Sequence, residues 1–336
     1  MGSVLVVNAG STTLKLSEVA ADETTTKLDS LEDADGSLDA VAHRVVHGGE
    51  RFRKPVLIDD DVVRELESLT ELAPLHNAPA LAAIRDALRL LPDVPQVAVF
   101  DSAFHATIPD LASTYALPSQ VRNWGVRRFG FHGLSVQWAS EQVAAPRLVV
   151  CHLGGGCSVT AVHDGRSVDT TMGFTPLEGV PMATRAGSVD PGALLYLLRH
   201  YLSLEELDRA LEHESGLAGL SGLSGDVREL EASGEPASEL ALAVFTYSVA
   251  KAVAAMAVGL GGLDALVFTA GVGEHSAFVR EGVCARLAFL GIELDAGANA
   301  SAQPDATVST PESSVRVVVL GAREDLVAAR AARQLL

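Results

Sequence analysis

The chain has 336 residues, 48 % of them hydrophobic and only 5 % aromatic, which indicates two domains with cores built from Ala, Val and Leu. Its 43 Asp and Glu outnumber its 25 Lys and Arg, and the resulting net charge of −18 excludes a general affinity for nucleic acid or anionic membranes. The three cysteines form no CxxC pair, and no signal peptide or membrane span is predicted, so we expect a cytoplasmic protein without a membrane partner.

Six short runs rich in Val and Leu predict the buried strands of an α/β protein, because they are apolar on both faces. In chain order they are VLVVNAG (4–10), AVAHRVVHGG (40–49), QVAVFDSAFH (96–105), RLVVCHLGGG (147–156), DALVFTAGVG (264–273) and RVVVLGARED (316–325). Helices are predicted at DDDVVRELESLTEL, SLEELDRALEH, ELALAVFTYSVAKAVAAMAVGL and EDLVAARAARQLL. The polar segments 22–37 and 297–314 are expected to be surface loops.

Two of these strands continue in the same way, which predicts an internal duplication. VLVVNAGSTTLKLSEV is strand, small-residue turn and strand, and RLVVCHLGGGCSVTAVHDG repeats that plan. Each half would begin with a hairpin whose turn offers backbone N–H groups to phosphate, although two ordinary hairpins would give the same pattern.

The first turn, NAGSTTLK (8–15), combines an amide, two hydroxyl residues and a lysine after a buried strand. Gly10 permits close approach of the backbone, Ser11 and Thr12 can donate to oxygen, Asn8 can reach a metal-bound water, and Lys15 adds positive charge. The spacing differs from the GxxxxGK[ST] phosphate loop. A plain hairpin and a phosphate-binding turn therefore both fit this segment.

Three residues in apolar surroundings are candidates for ligand chemistry in the first half. Arg44 lies within AHRVVHGG, where a buried arginine needs either a structural carboxylate or a bound carboxylate or phosphate. Asp101 ends the strand in VFDSAFH, so it would meet a ligand or cap the next helix. His132 in FGFHGLS fits a core histidine as well as a backbone segment that passes close to a ligand.

Glycine-rich segments mark candidates in the second half. HLGGGCS (152–158) predicts backbone N–H groups around a phosphate, or a plain tight turn. The irregular stretch 169–192 contains Arg185 and predicts a functional loop, with a structural Ω-loop as the alternative. FTAGVGEHS places two glycines before Glu274, at a helix start suited to a nucleotide. Glu324 in LGARED fits a helix cap or magnesium coordination.

In this order the motifs resemble the acetokinase (acetate kinase) family, within the superfamily that also holds sugar kinases, heat-shock ATPases and actin. The resemblance is carried nearly end to end by VLVVNAGSTTLK, HRVVHGGE, LAPLHNAPAL, VFDSAFHATIP, RFGFHGLS, HLGGGCS, DTTMGFTPLEG with TRAGSVDPG, SGLSGDVR, FTAGVGEHS and VRVVVLGARED. It implies an α/β, duplicated two-domain ribonuclease H-like (actin-like ATPase) fold with the active site in the interdomain cleft. The acyl-substrate domain would span 1–145, joined by the last helix at 325–336, and the nucleotide-binding domain would span 146–324.

The resemblance also implies the reaction and its participants. A phosphoryl group would pass directly and reversibly between ATP and acetate, giving acetyl phosphate and ADP, with Mg²⁺ or alternatively Mn²⁺ as cofactor and a homodimer as the assembly. The catalytic residues would be Asp101, His132 and Arg185, the metal residues Asn8 and Glu324, and the acyl-substrate residues Arg44, Val46, Leu75, Phe131 and Pro176. The nucleotide would bind Lys15, His152, Leu153, Gly154, Gly155, Gly156, Asp226, Val227, Arg228, Gly271, Val272, Gly273, Glu274 and His275.

These roles agree with the physical demands of the reaction. In-line phosphoryl transfer needs positioning and charge neutralisation, which two arginines, an imidazole and a metal supply. A carboxylate acceptor is already ionised at pH 7, so Asp101 would orient groups and help to bind magnesium rather than abstract a proton. The tight apolar set around the acyl chain favours a methyl group, although one methylene discriminates by only about 1–3 kcal/mol.

The sequence departs from the family pattern in four places, and these departures keep alternatives open. Gly155 and His275 stand where asparagines are usual, Arg323 is an unusual neighbour of the metal-site acid, and the interval between LKL and HRVV is short. The alternatives are a kinase for propionate or butyrate, a kinase with another phosphate donor such as pyrophosphate, and a non-catalytic nucleotide-binding regulator. The last is disfavoured because a binding module needs no transition-state residues.

Overall fold

The chain divides into two compact units in a computed structural model that describes residues 2–9, 14–34, 37–70 and 74–336, without the side chains of 74–76. Unit 1 comprises Met1–Thr107, Ala116–Trp138 and Arg323–Leu336, and unit 2 comprises Ile108–Tyr115 and Ala139–Ala322. The polypeptide therefore crosses between the units four times.

Unit 1 contains a six-stranded mixed sheet whose strands follow the predicted apolar runs. The strands are β1 Ser3–Ala9, β2 Leu14–Val19, β3 Thr25–Leu28, β4 Leu38–Val45, β5 Val56–Leu57 and β6 Gln96–Phe100. Their order across the sheet is β3-β2-β1-β4-β6-β5. β1, β4 and β6 are parallel, and the outer strands are antiparallel to their neighbours.

Unit 2 repeats this sheet strand for strand. Its strands are β7 Arg147–Leu153, β8 Cys157–His163, β9 Arg166–Thr170, β10 Ala265–Thr269, β11 Ala306–Thr307 and β12 Arg316–Val319. Their order is β11-β12-β10-β7-β8-β9, and β7, β10 and β12 are the parallel centre. When the strands of unit 2 are taken from the opposite edge, their order and directions match those of unit 1. The predicted duplication is therefore confirmed at the level of topology.

The helices surround these sheets. In chain order they are α1 Asp60–Ser68, α2 Pro74–Leu90, α3 Asp110–Ser113, α4 Ser119–Arg122, α5 Gly133–Gln142, α6 Pro191–His200, α7 Leu204–His213, α8 Gly216–Ser221, α9 Val227–Ser233, α10 Pro236–Leu260, α11 Ala270–His275, α12 Ala277–Arg286, α13 Ala296–Ser301 and α14 Glu324–Leu335. Capping explains several of these starts, because Asp59, Asp190 and Ser203 accept hydrogen bonds from the first turns of α1, α6 and α7.

The core of unit 1 forms on both faces of its sheet. On one face Val4, Val6 and Val97 pack against Val327 and Ala329 of α14. On the other face Leu5, Val7 and Val41 pack against Ala83 and Ala87 of α2. Each fully buried Val or Leu contributes roughly 1.5–3 kcal/mol relative to exposure. The α14 contacts hold Glu324, the first residue of that helix, at the end of the parallel strands.

Among the residues that the structure describes, one helix, α10, is long and apolar enough to cross a membrane by length and composition alone. Its buried residues include Leu242, Phe245, Val249 and Val253, and the helix packs on β7, β8 and β9. These contacts are those of a core helix of unit 2, which gives the apolar composition a structural explanation.

The expectation that 22–37 and 297–314 are loops was wrong in part. β3 lies in the first segment, where Leu16 to Val19 of β2 pair with the short polar run TTKL, and α13 lies in the second, capped by Asp295. Both elements depend on backbone hydrogen bonds and a cap, and they carry little of the apolar periodicity used to predict structure from sequence.

Candidate active site

A buried ion pair joins Arg44, near the end of β4, to Asp101, directly after β6. The Asp101 side chain has no exposed surface, and its two carboxylate oxygens accept from Arg44 Nε at 3.0 and 3.1 Å. Arg44 Nη2 donates a further bond of 2.6 Å to Asp101 Oδ2. The sequence leaves two kinds of partner open for Arg44, a structural carboxylate or a bound anion. In this structure the partner is the carboxylate of Asp101.

Two further predicted residues meet Arg44. Asn8 Oδ1 accepts from Arg44 Nη1 at 3.0 Å, and Glu324 Oε2 lies 3.6 Å from the same nitrogen. Asn8 Nδ2 donates to Glu324 Oε2 at 3.4 Å. Lys15 is exposed and lies opposite Asn8 in the β1–β2 pair. We name Asn8, Arg44, Asp101 and Glu324 the Arg44 cluster.

The hydrogen bonds of Arg44 leave part of its guanidinium for a ligand. A guanidinium carries five N–H groups, and the bonds to Asp101 and Asn8 use three of them. Nη1 also lies 3.6 Å from Glu324 Oε2, so among the described residues it is Nη2 that keeps an N–H for an oxygen of a carboxylate or phosphate. Burial opposes the charge, but Asp101 and Glu324 outweigh it and raise the pKa of Arg44. Arg44 therefore stays cationic.

The donor chemistry of the Arg44 cluster fits a hard divalent cation. Glu324 offers carboxylate oxygens and Asn8 an amide oxygen, which are the atom types that Mg²⁺ prefers, while both oxygens of the buried Asp101 accept from Arg44. Among the residues that the structure describes, no three His, Cys, Asp or Glu converge as a complete ligand set. A cation here would complete its coordination with water and substrate phosphate, as Mg²⁺ commonly does.

His132 is held next to Asp101 by strained backbone. Its φ of 59° lies in the left-handed region that non-glycine residues seldom adopt, and such residues concentrate at functional sites. Gly133 N donates to Asp101 O at 3.0 Å, and a Cβ at Gly133 would lie 2.0 Å from that oxygen. The close approach requires glycine at 133, and it fixes the His132 backbone against the Asp101 backbone.

The predicted acyl-substrate residues of unit 1 lie in an aromatic environment. Val46 and Phe131 are buried, and His47 packs its ring edge-on against Phe131 at 5.2 Å. Phe131 O is within 2.8 Å of His105 Nε2. Burial lowers the pKa of His105 to about 4, so its ring is neutral at pH 7. The side chain of Leu75 lies outside the described residues, as do Gly10, Ser11 and Thr12 of the first turn.

The glycine turn of unit 2 joins β7 to β8. Gly154 N donates to Gly156 O at 3.0 Å, and Ala183 N donates to Gly155 O at 3.2 Å. Gly155 lies at the exposed tip, where an added Cβ would meet nothing within 4 Å. The side chain of Leu153 is buried, so only its backbone could meet a ligand, whereas His152 is slightly exposed.

Arg185 lies in the predicted irregular loop, and its guanidinium contacts other residues of unit 2. Its Nη1 donates to Pro176 O at 3.2 Å and lies 3.6 Å from Met182 Sδ, and its Nε is 3.4 Å from Glu212 Oε2. Burial lowers the pKa of Arg185 and raises that of Glu212, while each charge opposes the shift of the other. The loop therefore brings Arg185 close to Pro176, another predicted site residue.

The remaining predicted nucleotide residues lie at the start of α9 and within the short helix α11. Asp226 caps α9 through Arg228 N at 2.9 Å and pairs with the Arg228 guanidinium, while Val227 is buried in the core. In α11, Gly271 has open space around it and His275 Nδ1 contacts Gly271 O at 3.1 Å. Val272 is half-buried and Gly273 is buried.

Several residues in contact with the predicted set were missed by sequence reasoning. Glu212 is one of many acids on an amphipathic helix, and no spacing distinguishes it from its exposed neighbours. Tyr115 accepts from Phe174 N at 3.0 Å and donates to Glu178, so it secures the loop before Pro176. His105 was part of a quoted motif, and its spacing of four residues from Asp101 was the available signal.

The chain matches the model of the acetokinase family over residues 18–330. It is 47 % identical over 328 residues to an acetate kinase of Nostoc punctiforme, covering 92 % of this chain and 81 % of that protein. It is 49 % identical over 307 residues to an acetate kinase of Synechococcus sp., covering 88 % and 76 %.

Solved structures give the same result for the fold. A propionate kinase from Francisella tularensis superposes with a TM-score of 0.92 at 33 % identity, and each chain is covered completely. An acetate kinase from Porphyromonas gingivalis gives a TM-score of 0.88, also at 33 % identity and complete coverage of both chains. The predicted duplicated two-domain α/β fold is thereby confirmed.

Proposed function

The chain belongs to the acetokinase family of phosphotransferases, and from that premise we propose that it transfers a phosphoryl group reversibly between ATP and acetate. The observation that carries the acceptor assignment is the Arg44 cluster. The guanidinium that Asp101 and Asn8 orient has more N–H groups than these bonds use, and such groups suit the oxygens of a small carboxylate.

Binding roles are divided between the two units in this proposal. Arg44 binds the acetate carboxylate in unit 1, and the buried Val46 and Phe131 accommodate the methyl group. The nucleotide binds in unit 2 through the Gly154–Gly156 turn and the Gly271–His275 segment. An open environment at Gly271 and Gly155 leaves room for a ligand at both places.

The chain's own residues then stabilise charge during transfer. Asp101 holds Arg44 in a single orientation, so the acetate oxygen is presented without a reorganisation cost. His132 and Arg185 donate to the oxygens of the transferring phosphoryl group, where negative charge is distributed in the transition state. Asn8 and Glu324, with Asp101 beside them, would hold Mg²⁺ or Mn²⁺, which neutralises phosphate charge when bound.

The direct test is formation of acyl phosphate, trapped as the hydroxamate, from acetate with ATP and Mg²⁺. Propionate, butyrate and a pyrophosphate control run in parallel. Signal with acetate and ATP supports the proposal. Hydroxamate formed only with a longer acid, or only with pyrophosphate, would change the assigned acceptor or donor. No hydroxamate in any reaction would contradict kinase activity. Propionate is the second candidate acceptor because a protein named a propionate kinase superposes so well.

We expect the Val46→Ala variant to favour propionate. Val46 is buried at the end of β4, two residues after Arg44, so its truncation makes room near the bound carboxylate. The ratio of kcat/KM for propionate to that for acetate should rise about tenfold, because one methylene in an apolar pocket is worth about 1–3 kcal/mol. Val63→Ala on α1 is the control. An unchanged ratio would remove Val46 from the acyl pocket.

A homodimer is also part of the proposal, and α6 supplies a surface for it. None of the residues of α6 is buried, although the helix is almost wholly apolar. Leu195, Tyr196 and Tyr201 are 50 %, 52 % and 68 % exposed, and the Tyr196 ring packs against His200. Contiguous exposed apolar residues of this kind mark protein contacts. A second copy of the chain is the proposed occupant.

Light scattering coupled to size-exclusion chromatography tests this assembly. We expect the unmodified chain to elute as a dimer and the Leu195→Asp/Tyr196→Asp variant as a monomer, because two buried carboxylates would be unpaired at the interface. Arg64→Glu, on the exposed face of α1, should remain dimeric. A monomeric unmodified chain, or a dimeric double variant, would contradict the assignment of α6.

A further inference from the structure

Three successive backbone N–H groups are fixed where the chain leaves unit 2 for the last time. Leu320 N donates to Phe268 O at 2.9 Å, Gly321 N to Asp305 Oδ1 at 2.8 Å, and Ala322 N to Glu274 Oε1 at 2.9 Å. The chain then enters unit 1 at Arg323. The last fixed point, Ala322, lies two residues before Glu324.

Glu274 is itself held by a buried arginine. Arg280 is 1 % exposed, and its Nη1 donates to Glu274 O at 2.8 Å and to Gly273 O at 3.0 Å. Its Nε and Nη2 donate to the side-chain and backbone oxygens of Asn299 at 2.7 and 2.8 Å. Burial lowers the pKa of Arg280, and the bonds to four oxygens replace the lost solvation. Arg280 thus links the end of α11 to α13 through hydrogen bonds.

Within unit 2, these contacts lead from α13 to Ala322, the last residue of the unit. Asn299 orients Arg280, Arg280 holds the backbone of Glu274, and the Glu274 carboxylate holds Ala322 N. Beyond Ala322, Arg323 donates to Thr25 Oγ1 at 3.0 Å, and Glu324 contacts Asn8. Ala322, whose N–H the Glu274 carboxylate accepts, is therefore two peptide links from Glu324.

We propose that Glu274 is a positioning residue for Glu324, acting through its hydrogen bond to the Ala322 backbone, and that Arg280 positions Glu274. The inference rests on the proposed function, in which Glu324 helps to hold the divalent cation. It gives Glu274 a role different from the nucleotide contact that the family resemblance implies, because the carboxylate is committed to a backbone N–H two residues before the metal-site acid.

The two roles differ in what each predicts for binding. A nucleotide contact contributes to ADP affinity whether or not a cation is present. A residue that positions Glu324 affects cation affinity and leaves metal-free ADP binding unchanged. Outer residues that orient metal ligands typically contribute 10–100-fold to metal affinity.

The experiment measures Kd for ADP in EDTA by calorimetry, and Kd for Mn²⁺ in the ADP complex from the electron paramagnetic resonance signal of free Mn²⁺. For Glu274→Ala we expect Mn²⁺ affinity to fall about tenfold and metal-free ADP affinity to stay within about twofold. Glu274→Gln keeps an acceptor oxygen for Ala322 N and should recover most of the Mn²⁺ affinity. Glu281→Ala, exposed on α12, should match the unmodified chain.

Ala322→Pro tests the same bond from its other end, because it removes the donor and leaves Glu274 in place. We expect the same selective loss of Mn²⁺ affinity. Metal-free ADP binding that weakens as much as Mn²⁺ binding in Glu274→Ala would overturn the proposal, and so would a Gln variant no better than Ala. Neither measurement uses acetate. If the variants show the expected ADP and Mn²⁺ affinities but the unmodified chain does not phosphorylate acetate, only the assignment of acetate as the acceptor is refuted.

Discussion

Replacing Arg185 with alanine should lower kcat about a thousandfold while changing KM for ATP by no more than about threefold. An arginine that stabilises the charge of a transferring phosphoryl group contributes about 10³ to 10⁵ to turnover, and that interaction is made mainly in the transition state. Arg185 is anchored for this task, because Pro176 O and Glu212 hold its guanidinium and only 12 % of the side chain is exposed.

Two variants separate this role from a general effect of charge. Arg185→Lys keeps a cation but loses the planar fork, so it should recover only part of kcat. Arg209→Ala removes an exposed arginine paired with Glu214 and should leave both kinetic constants unchanged. Steady-state kinetics with varied ATP is the measurement. Equal losses in kcat and ATP affinity, or no loss in either, would remove Arg185 from the transition state.

Asp101→Ala should impair both activity and stability. Removing the fully buried partner leaves the Arg44 charge with only Asn8 and the more distant Glu324, and breaking a buried ion pair costs about 3–5 kcal/mol. The partial compensation by Glu324 places the expected loss near the lower limit, about 3 kcal/mol. We expect kcat/KM for acetate to fall at least a hundredfold, since Arg44 loses the carboxylate that orients it.

Urea unfolding and acetate kinetics together test this prediction. Asp86→Ala is a matched control, because it removes an acid paired with Arg89 at the exposed surface of α2, where such a pair is worth about 0–1 kcal/mol. Asp101→Asn keeps an oxygen acceptor for Arg44 and should lie between the two in stability. An Asp101→Ala variant as stable as Asp86→Ala would show that Arg44 does not depend on Asp101.

The sequence was sufficient for the parallel strands and for the residues at their ends. Val4 to Val7 and Val97 to Phe100 are apolar on both faces, and Ala40 to Val45 is apolar except for His43 and Arg44, as expected for strands buried on both faces. Arg44 and Asp101 stood out because charge inside such a run needs a partner. Arg44 and Asp101 pair with each other because of the register between β4 and β6, and the hydrophobic pattern of the sequence does not specify that register.

Other parts of the site depend on contacts that no local pattern encodes. Glu212 pairs with Arg185 of the irregular loop, and Arg280 donates to backbone carbonyl groups of the neighbouring helices α11 and α13. The edge strand β3 is held by its backbone alone, so its polar side chains resembled a loop. Asp226 and Arg228, grouped by resemblance as nucleotide residues, pair with each other in this state, and their contact with a nucleotide stays a prediction.

The matched strand order of the two sheets also defines equivalent positions in unit 1 and unit 2. Asn8 pairs with Arg44 in one sheet, and at the corresponding register His152 pairs with Thr269 in the other. Asp101 and Ala322 each follow the corresponding strand positions Ala98 and Val319 by three residues. The strand ends of the two sheets thus share a backbone path and differ in chemistry. Unit 1 has Asn8, Arg44 and Asp101 at these positions, and unit 2 has His152, Thr269 and Ala322.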